Sequence, residues 1–369
     1  MSRLIDEKDI ENIALGAAIL GTGGGGDPHI GKLMAQQAIK EYGPVTLLEP
    51  NEVPDDALVV PVAMMGAPTV FIEKIPNGDE TTKSLRRLEK YMGKKVYAVM
   101  PMECGGLNST IPFVVAAQTG LPIVDADGMG RAFPELQMET FNVYDVSGTP
   151  MVVSDEKDNF VVIETQDNDM MEYLARGITI RMGGVGYIAH YTMTGKKMKS
   201  ASIGYTTTLS MELGSILRSK DDNYVSPLDK MKKVLSTSDY GEPIGLFEAK
   251  IVDVDRSTEQ GFAKGTVKLE GINDYTEKTY VVEFQNENLI AFEDDRPIVT
   301  VPDLITFLDL ETFKPLTTES LRYGYRVLCL AIPTPSIMRT EKALKVWGPK
   351  YFGYDLPFVP VEERVMTND

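Results

Sequence analysis

Leu20-Gly21-Thr22-Gly23-Gly24-Gly25-Gly26-Asp27-Pro28 runs four consecutive glycines into two residues that favour a helix start. Asp27 is a good N-cap and Pro28 suits the first helical position, so we predict a helix up to about residue 42. A glycine loop at a helix N-terminus presents free N–H groups and the positive end of the helix dipole. We therefore expect an anionic or carbonyl-bearing ligand here, and a tight turn is the alternative. The expected binding residues are Gly23, Gly24, Gly25, Gly26 and Asp27.

Strands and helices alternate along the first third of the chain. Apolar runs of strand length at 45–48, 58–64, 96–100 and 121–124 are separated by helical patterns at 80–92 and 111–118. This alternation predicts an α/β domain with a mainly parallel sheet. Pro61, inside the second run, indicates an edge strand or a bulge.

Glycine-bearing polar loops follow three of the predicted strands, at 64–69, 101–109 and 125–131. Ligands of α/β sheets bind at the carboxyl ends of the strands. We expect these three loops to meet there, together with the glycine loop at 21–28.

The second half of the chain is richer in β patterns. The whole chain has 369 residues, which is more than one typical hydrophobic core accommodates, so we predict two domains. Residues 1–167 form the α/β domain, and residues 168–369 form an α+β domain with a β-rich end.

Composition excludes several function classes. A net charge of -17 argues against nucleic-acid partners and anionic membrane surfaces. The sequence has no uncharged apolar run long enough to span a membrane and no signal-peptide core at its N-terminus. The sequence has two cysteines, Cys104 and Cys329, which lie far apart. They argue against a disulfide framework and predict a cytoplasmic protein. We expect a homo-oligomer on base rates alone.

Two carboxylates, Asp125 and Asp127, follow the strand at 121–124. Close carboxylates repel, which raises one pKa and creates a general acid or base, and they also suit hard metal ions. Ordinary loop or capping roles are the alternative. Arg131 either pairs with one of them or binds a substrate carbonyl.

Glu103, Cys104 and Asn108 share the loop at 101–109. Glu103 and Asn108 have the chemistry to orient a polar ligand. Cys104 is a zinc ligand, a nucleophile or a small buried residue. His190 is the histidine that we expect at a metal together with Cys104 or an aspartate, and a hydrogen-bonded strand residue is the alternative.

Residues 21–26 also match G-x-G-x-x-G formally. The dinucleotide fingerprint requires a strand before the loop, whereas residues 9–20 have helical spacing. Nicotinamide or flavin binding is therefore disfavoured.

Five stretches of the sequence form a characteristic set: residues 20–28, Met102-Glu-Cys-Gly-Gly-Leu-Asn108, Asp125-Ala-Asp-Gly-Met-Gly-Arg-Ala-Phe-Pro-Glu135, Thr192-Met-Thr-Gly195 and Glu319-Ser-Leu-Arg-Tyr-Gly-Tyr-Arg326. Together they resemble the S-methyl thiohydantoin desulfurase family, whose members occur alone or fused to hydantoinase/oxoprolinase-type subunits. The resemblance implies a hydrolase that adds water to a C–S or C–N centre of a hydantoin-like or S-methyl thiohydantoin ring. The desulfurase reaction itself adds water to the isothiourea carbon and expels methanethiol, and zinc is the associated metal.

Together these observations predict one mechanism and one main alternative. Asp125, Asp127 or a metal activates water, the glycine loop holds a ring carbonyl, and Glu103 or Asn108 contacts the ring nitrogens. The alternative is a non-catalytic subunit or ligand-binding partner of a hydantoinase/oxoprolinase-type enzyme.

Overall fold

The computed structural model describes residues 2–66, 70, 74, 76–219, 226–259 and 262–366. Residues 67–69 of the predicted loop at 64–69 therefore lie outside the described part. The strands are β1 Arg3–Ile5, β2 Val45–Leu48, β3 Leu58–Gly66, β4 Ala98–Pro101, β5 Ile123–Val124, β6 Ala126–Asp127, β7 Met151–Ser154, β8 Phe160–Ile163, β9 Val185–Ala189, β10 Met193–Thr194, β11 Ile203–Gly204, β12 Ile244–Glu259, β13 Phe262–Gly271, β14 Thr279–Gln285, β15 Glu287–Glu293, β16 Arg296–Thr300, β17 Leu304–Asp309, β18 Pro315–Leu316 and β19 Arg326–Ile332.

Helices occur mostly in the first two thirds of the chain. They are α1 Glu7–Leu20, α2 Pro28–Tyr42, α3 Glu80–Met92, α4 Ile111–Thr119, α5 Thr140–Val143, α6 Asn168–Arg181, α7 Gly195–Ala201, α8 Thr206–Arg218, α9 Pro227–Leu235, α10 Glu341–Trp347 and α11 Val361–Met366. No helix within the described ranges is long and apolar enough to cross a membrane.

The first sheet has the order β1-β2-β5-β4-β3-β9-β7-β8, and β10 also pairs with β3. Its centre, β2-β5-β4-β3, is parallel, and the remaining pairs are antiparallel. Val60 and Val99 pack on the side of α1, α2 and α4, whereas Val59 and Ala98 pack in the cluster that includes α6. Burial of both faces explains the continuous apolar runs in the sequence.

The prediction that Pro61 marks an edge strand or a bulge is wrong, because β3 lies inside the sheet. Its antiparallel ladder with β9 begins at Val62, and its pairing with β10 ends at Val59. Pro61 falls between these two ladders and uses only its carbonyl, which accepts from the amide of His190 (3.3 Å). The missing N–H of proline therefore costs no ladder bond.

The second sheet is antiparallel throughout, in the order β16-β15-β14-β13-β12-β19-β17-β18. It forms the β-rich C-terminal region, so the α/β plus β-rich description is confirmed. A division at residue 167 stays a prediction, and β9 and β10, which follow that position, belong to the first sheet.

Close helix packing and one side-chain bond set the position of the glycine loop. An added Cβ on Gly16 of α1 would lie 1.8 Å from the carbonyl oxygen of Ser210 in α8, so the two backbones are in contact. The Thr306 hydroxyl of β17 donates to the carbonyl of Ile19 (2.7 Å). The loop after α1 therefore lies between the first sheet and the second.

Candidate functional site

A small cavity lies where the four predicted loops meet. The cavity has a volume of about 90 Å³, which suits a small molecule. The rest of its wall comes from residues 133–136, Val185 of β9, helix α6, and Asn286 and Glu287 at the turn between β14 and β15. The lining residues are Gly25, Gly26, Asp27, Met64, Met65, Gly66, Met102, Glu103, Leu107, Asn108, Met129, Phe133, Pro134, Glu135, Leu136, Arg176, Val185, Asn286 and Glu287. The predicted convergence of the loops is confirmed for their described residues.

The glycine loop needs its glycines for two physical reasons. Gly23, Gly25 and Gly26 have φ of +85°, +73° and +77°, in the left-handed region that glycine tolerates. At Gly24 an added Cβ would lie 2.1 Å from Oε1 of Glu287. A side chain at any of these positions would strain the loop or displace its neighbours.

Only part of the predicted glycine site faces the cavity. Gly25, Gly26 and Asp27 line it, and the Gly26 amide donates to no acceptor among the described residues. Gly23 and Gly24 pack instead against the second sheet, where the carbonyl of Gly23 accepts from the amide of Thr318 (2.8 Å). Helix α1 ends at the residue before the loop, which confirms the prediction that a helix and not a strand precedes it.

Glu103 and Asn108 form one wall of the cavity as a bonded pair. The Asn108 Nδ2 group donates to Glu103 Oε1 (2.7 Å) and to the carbonyl of Met64 (3.0 Å), while its Oδ1 accepts from the Met64 amide (2.8 Å). Burial raises the pKa of Glu103 to about 8, although the Asn108 bond opposes the rise. Glu103 is therefore a carboxyl group that exchanges a proton near neutral pH.

Glu287 is a site residue that the sequence analysis missed. It enters from the second sheet, directly after the turn residue Asn286, and its Oε1 accepts from the amide of Gly25 (3.3 Å). Burial, and then the charge of Glu103, raise its pKa well above the ordinary value. No local motif distinguishes this glutamate, since its place in the cavity depends on the packing of two sheets.

Asp127 lies beneath the cavity and does not line it. Its Oδ2 accepts from the backbone amides of Cys104 (2.7 Å), Gly130 (2.8 Å) and Met129 (3.4 Å). Burial raises its pKa to about 7, and these three bonds oppose the rise. The carboxylate joins the two loops that carry the cavity's lining, which is a positioning role.

Asp125 and Asp127, both predicted to be catalytic, have separate hydrogen-bond partners, and neither lines the cavity. Asp125 accepts from the amide of Thr208 (3.0 Å) and from its hydroxyl, at the start of helix α8. It therefore caps a helix from a distant part of the chain, and it does not line the cavity. Asp125 therefore has the capping role that the sequence analysis gave as the alternative to catalysis.

Arg131 does not fit the predicted role in substrate binding, because every N–H of its guanidinium is bonded within the protein. It donates to the carbonyls of Ala132, Pro302, Asp303 and Asn288 and to the hydroxyl of Thr22, at 2.8–3.2 Å. Burial lowers its pKa to about 10, so it remains charged at neutral pH. It ties the loop after β6 to the glycine loop and to the second sheet.

Arg176 of helix α6 is the cation that lines the cavity. Its Nε donates to Glu172 (2.5 Å) and its Nη2 to the carbonyl of Pro134 (2.9 Å), whereas its Nη1 donates to no described residue. The guanidinium also lies over the ring of Phe262, 4.7 Å from its centroid. The sequence analysis missed it because one arginine in an amphipathic helix carries no distinguishing motif.

The predicted metal ligands Cys104 and His190 have different partners in the structure. The Cys104 thiol bonds the carbonyl of Thr206 (3.1 Å) and the hydroxyl of Ser210 (2.8 Å), and burial raises its pKa well above the ordinary value. In the described ranges, no three His, Cys, Asp or Glu side chains are arranged to hold a metal ion. These residues do not fit the zinc that the resemblance implies, and zinc stays a prediction.

His190 instead faces Glu139 in the interior. Its Nδ1 lies 3.7 Å from Oε1 of Glu139, and both side chains are fully buried. Burial lowers the pKa of His190 to about 3 and raises that of Glu139 well above its ordinary value. Glu103 and Asp127 raise the Glu139 pKa further, so Glu139 belongs to the same group of buried carboxyls.

Comparison with known families identifies the class of this chain. The model of the S-Me-THD-like N-terminal domain matches residues 8–165, and that of the S-Me-THD-like C-terminal domain matches residues 166–361. The chain therefore belongs to the S-Me-THD-like family, and the predicted resemblance to the S-methyl thiohydantoin desulfurase family is confirmed.

A crystal structure of a protein from Chromobacterium violaceum, a structural genomics target, has the same fold. It is 25% identical in sequence, with a TM-score of 0.79, and the match covers 97% of this chain and 100% of that one. No curated protein matches the chain.

Proposed function

We propose that the cavity binds a hydantoin-like ring and that the chain hydrolyses the carbon–sulfur bond of an S-methyl thiohydantoin. Family membership supports the ring class. The lining supports the methylthio group, because Met64, Met65, Met102 and Met129 offer soft, adaptable thioether side chains. The free Gly26 amide suits a ring carbonyl.

Glu103 is the observation that carries the proposal. It is a buried carboxyl in the cavity wall, held by Asn108, with a pKa raised to about 8. A group with this pKa is mostly protonated at neutral pH and still accepts a proton readily. General acid–base catalysis is most effective with such a group.

Glu103 relays a proton in each half of the proposed reaction, by donating one proton and accepting another. It donates a proton to the ring nitrogen while the water oxygen bonds to the carbon that carries sulfur, and it takes a proton back from that water. The carbon–sulfur bond then breaks as the carbonyl forms, and the remaining hydroxyl proton reaches the leaving sulfur through Glu103. Ring and water thus yield a ring carbonyl and methanethiol.

The test measures thiol release from S-methyl thiohydantoin with a chromogenic disulfide reagent, and the ring product by mass spectrometry. Glu103→Gln keeps the shape and the acceptor for Asn108, so we expect kcat to fall by about 10²–10⁴-fold without loss of folding. Glu270→Gln, on the exposed surface of β13, is the matched control.

The pH dependence gives a second readout. Because the protonated form of Glu103 starts the reaction, kcat/KM should fall above about pH 8. Full activity in Glu103→Gln would contradict the mechanism. Ring binding by calorimetry without turnover would instead support the ligand-binding subunit of a hydantoinase/oxoprolinase-type enzyme.

A further inference from the structure

Helix α6 exposes an apolar face. Met170 is 47% exposed, Tyr173 73%, Leu174 40% and Ile180 55%. The opposite side of the helix is already buried through Met171, Glu172, Ala175 and Thr179. Surface helices ordinarily present polar residues outward, and a contiguous exposed apolar patch marks an interaction surface. A groove of about 1030 Å³ runs along this face, bounded by residues of the β7–β8 hairpin and by Phe262.

Gly177 occupies the middle of the exposed face. An added Cβ there would meet nothing within 4 Å, and its φ is not positive. Glycine weakens a helix relative to alanine, and no contact inside the described chain requires it here. It leaves a depression in the helix surface that admits a large side chain from another molecule.

The face is complementary to itself when it is turned end to end. About the level of Ala175, Asp169 is the counterpart of Arg181, Met170 of Ile180, and Tyr173 of Gly177, each pair lying at equal distances along the sequence. An antiparallel copy would thus oppose an acid to a base, an apolar side chain to another, and an exposed ring to the depression. A two-fold interface requires this kind of self-complementarity.

We propose that the occupant of this face is a second copy of the chain, with the exposed faces of the two α6 helices packed antiparallel about a two-fold axis at the level of Ala175 along the helix. Charge complementarity argues for this occupant, because Asp169 and Arg181 form no ion pair with the described residues and would pair twice across the axis. Antiparallel helix dipoles also attract. Arg176 and Glu135 border both the groove and the small cavity, so the partner helix would lie beside the cavity wall.

Sedimentation equilibrium of the full chain tests the dimer. We expect twice the chain mass of 40.7 kDa for the unaltered protein. Leu174→Glu places a carboxylate in the apolar face and should raise the dimer Kd by at least about tenfold. Leu33→Glu is the matched control, since Leu33 is 50% exposed on α2, away from this face.

Charge reversal tests the antiparallel arrangement. Asp169→Arg and Arg181→Asp should each weaken the dimer, because like charges then face each other, and the double variant should restore it. All substituted positions are exposed, and a thermal transition measured by circular dichroism checks folding. A monomeric unaltered protein, an unchanged Kd in Leu174→Glu, or a double variant as weak as the singles would overturn the proposal.

Discussion

Asp125 belongs to a motif that predicted catalysis, but its carboxylate stabilises the fold. Its side chain caps helix α8 through Thr208 and does not reach the cavity. Asp125→Ala should therefore lower the free energy of unfolding by about 1 kcal/mol, the usual effect of losing a cap. Thiol release should stay within about twofold of the unaltered protein. Urea unfolding and the activity assay measure the two effects. A large loss of activity with unchanged stability would instead support a catalytic role for Asp125.

Arg131 should matter for stability more than any exposed arginine. Arg131→Met leaves four buried carbonyls and the hydroxyl of Thr22 without their donor. Removing one partner of a buried charged network costs about 3–5 kcal/mol. Arg131→Lys keeps the charge but not the planar fork, so an intermediate loss is expected.

Thermal unfolding midpoints of these variants compare directly with Arg218→Met, in which the lost arginine lies partly exposed at the end of α8. Equal midpoints for Arg131→Met and Arg218→Met would show that the guanidinium does not join the loops to the second sheet.

The pair of helices α1 and α8 depends on glycine at its closest approach. Gly16 faces the backbone of Ser210, and an added Cβ on Gly214 would lie 1.9 Å from the carbonyl of Asn12. Gly16→Ala forces the two helices apart, and overpacking of this kind costs about 1–3 kcal/mol. Chemical unfolding should show this loss, whereas Lys8→Ala on the exposed side of α1 should change stability little.

Because α1 leads directly into the glycine loop, Gly16→Ala also tests how rigidly the loop is placed. A stability loss with the KM for the ring unchanged would show that the loop is held mainly by its bonds to the second sheet and not by the helix pair.

Buried carboxyls make the stability of the whole molecule depend on pH. Burial raises the pKa of Glu103 from 4.5 to about 8 and that of Asp127 from 3.8 to about 7. The folded protein therefore binds more protons than the unfolded chain across this window. Its free energy of unfolding falls as pH rises, and the contribution is complete below about pH 4 and lost by about pH 8.

Urea unfolding at about pH 6 and about pH 9 checks this dependence. The free energy of unfolding should be lower at the higher pH, and the difference should shrink by more than about 1 kcal/mol in Glu103→Gln, because an amide does not ionise. Glu270→Gln should behave like the unaltered protein. An identical pH difference in Glu103→Gln would mean that this carboxyl is not held protonated by burial.

Local sequence patterns predicted most elements of the fold. Alternating apolar runs and helical spacing located β2, β3, α3 and α4, and Asp27 caps α2 through the amide of His29 (2.8 Å) as expected. These features depend on neighbours in sequence, so they can be recognised there. The prediction for Pro61 was wrong because a sheet accommodates an interior proline only where its partner strands leave a gap. That gap depends on where β9 and β10, which are distant in sequence, begin and end.

The sequence alone determined that the glycine loop and the loops after β3, β4 and β5 converge, since the direction and order of parallel strands place their ends at one edge. It also indicated Glu103 and Asn108. Only the tertiary structure separated Asp125 from Asp127, used every donor of Arg131 inside the protein, and brought Glu287 and Arg176 to the cavity. The physical reason is that burial and hydrogen-bond partners come from segments far apart in the chain, and they decide whether a charged side chain is free to meet a ligand.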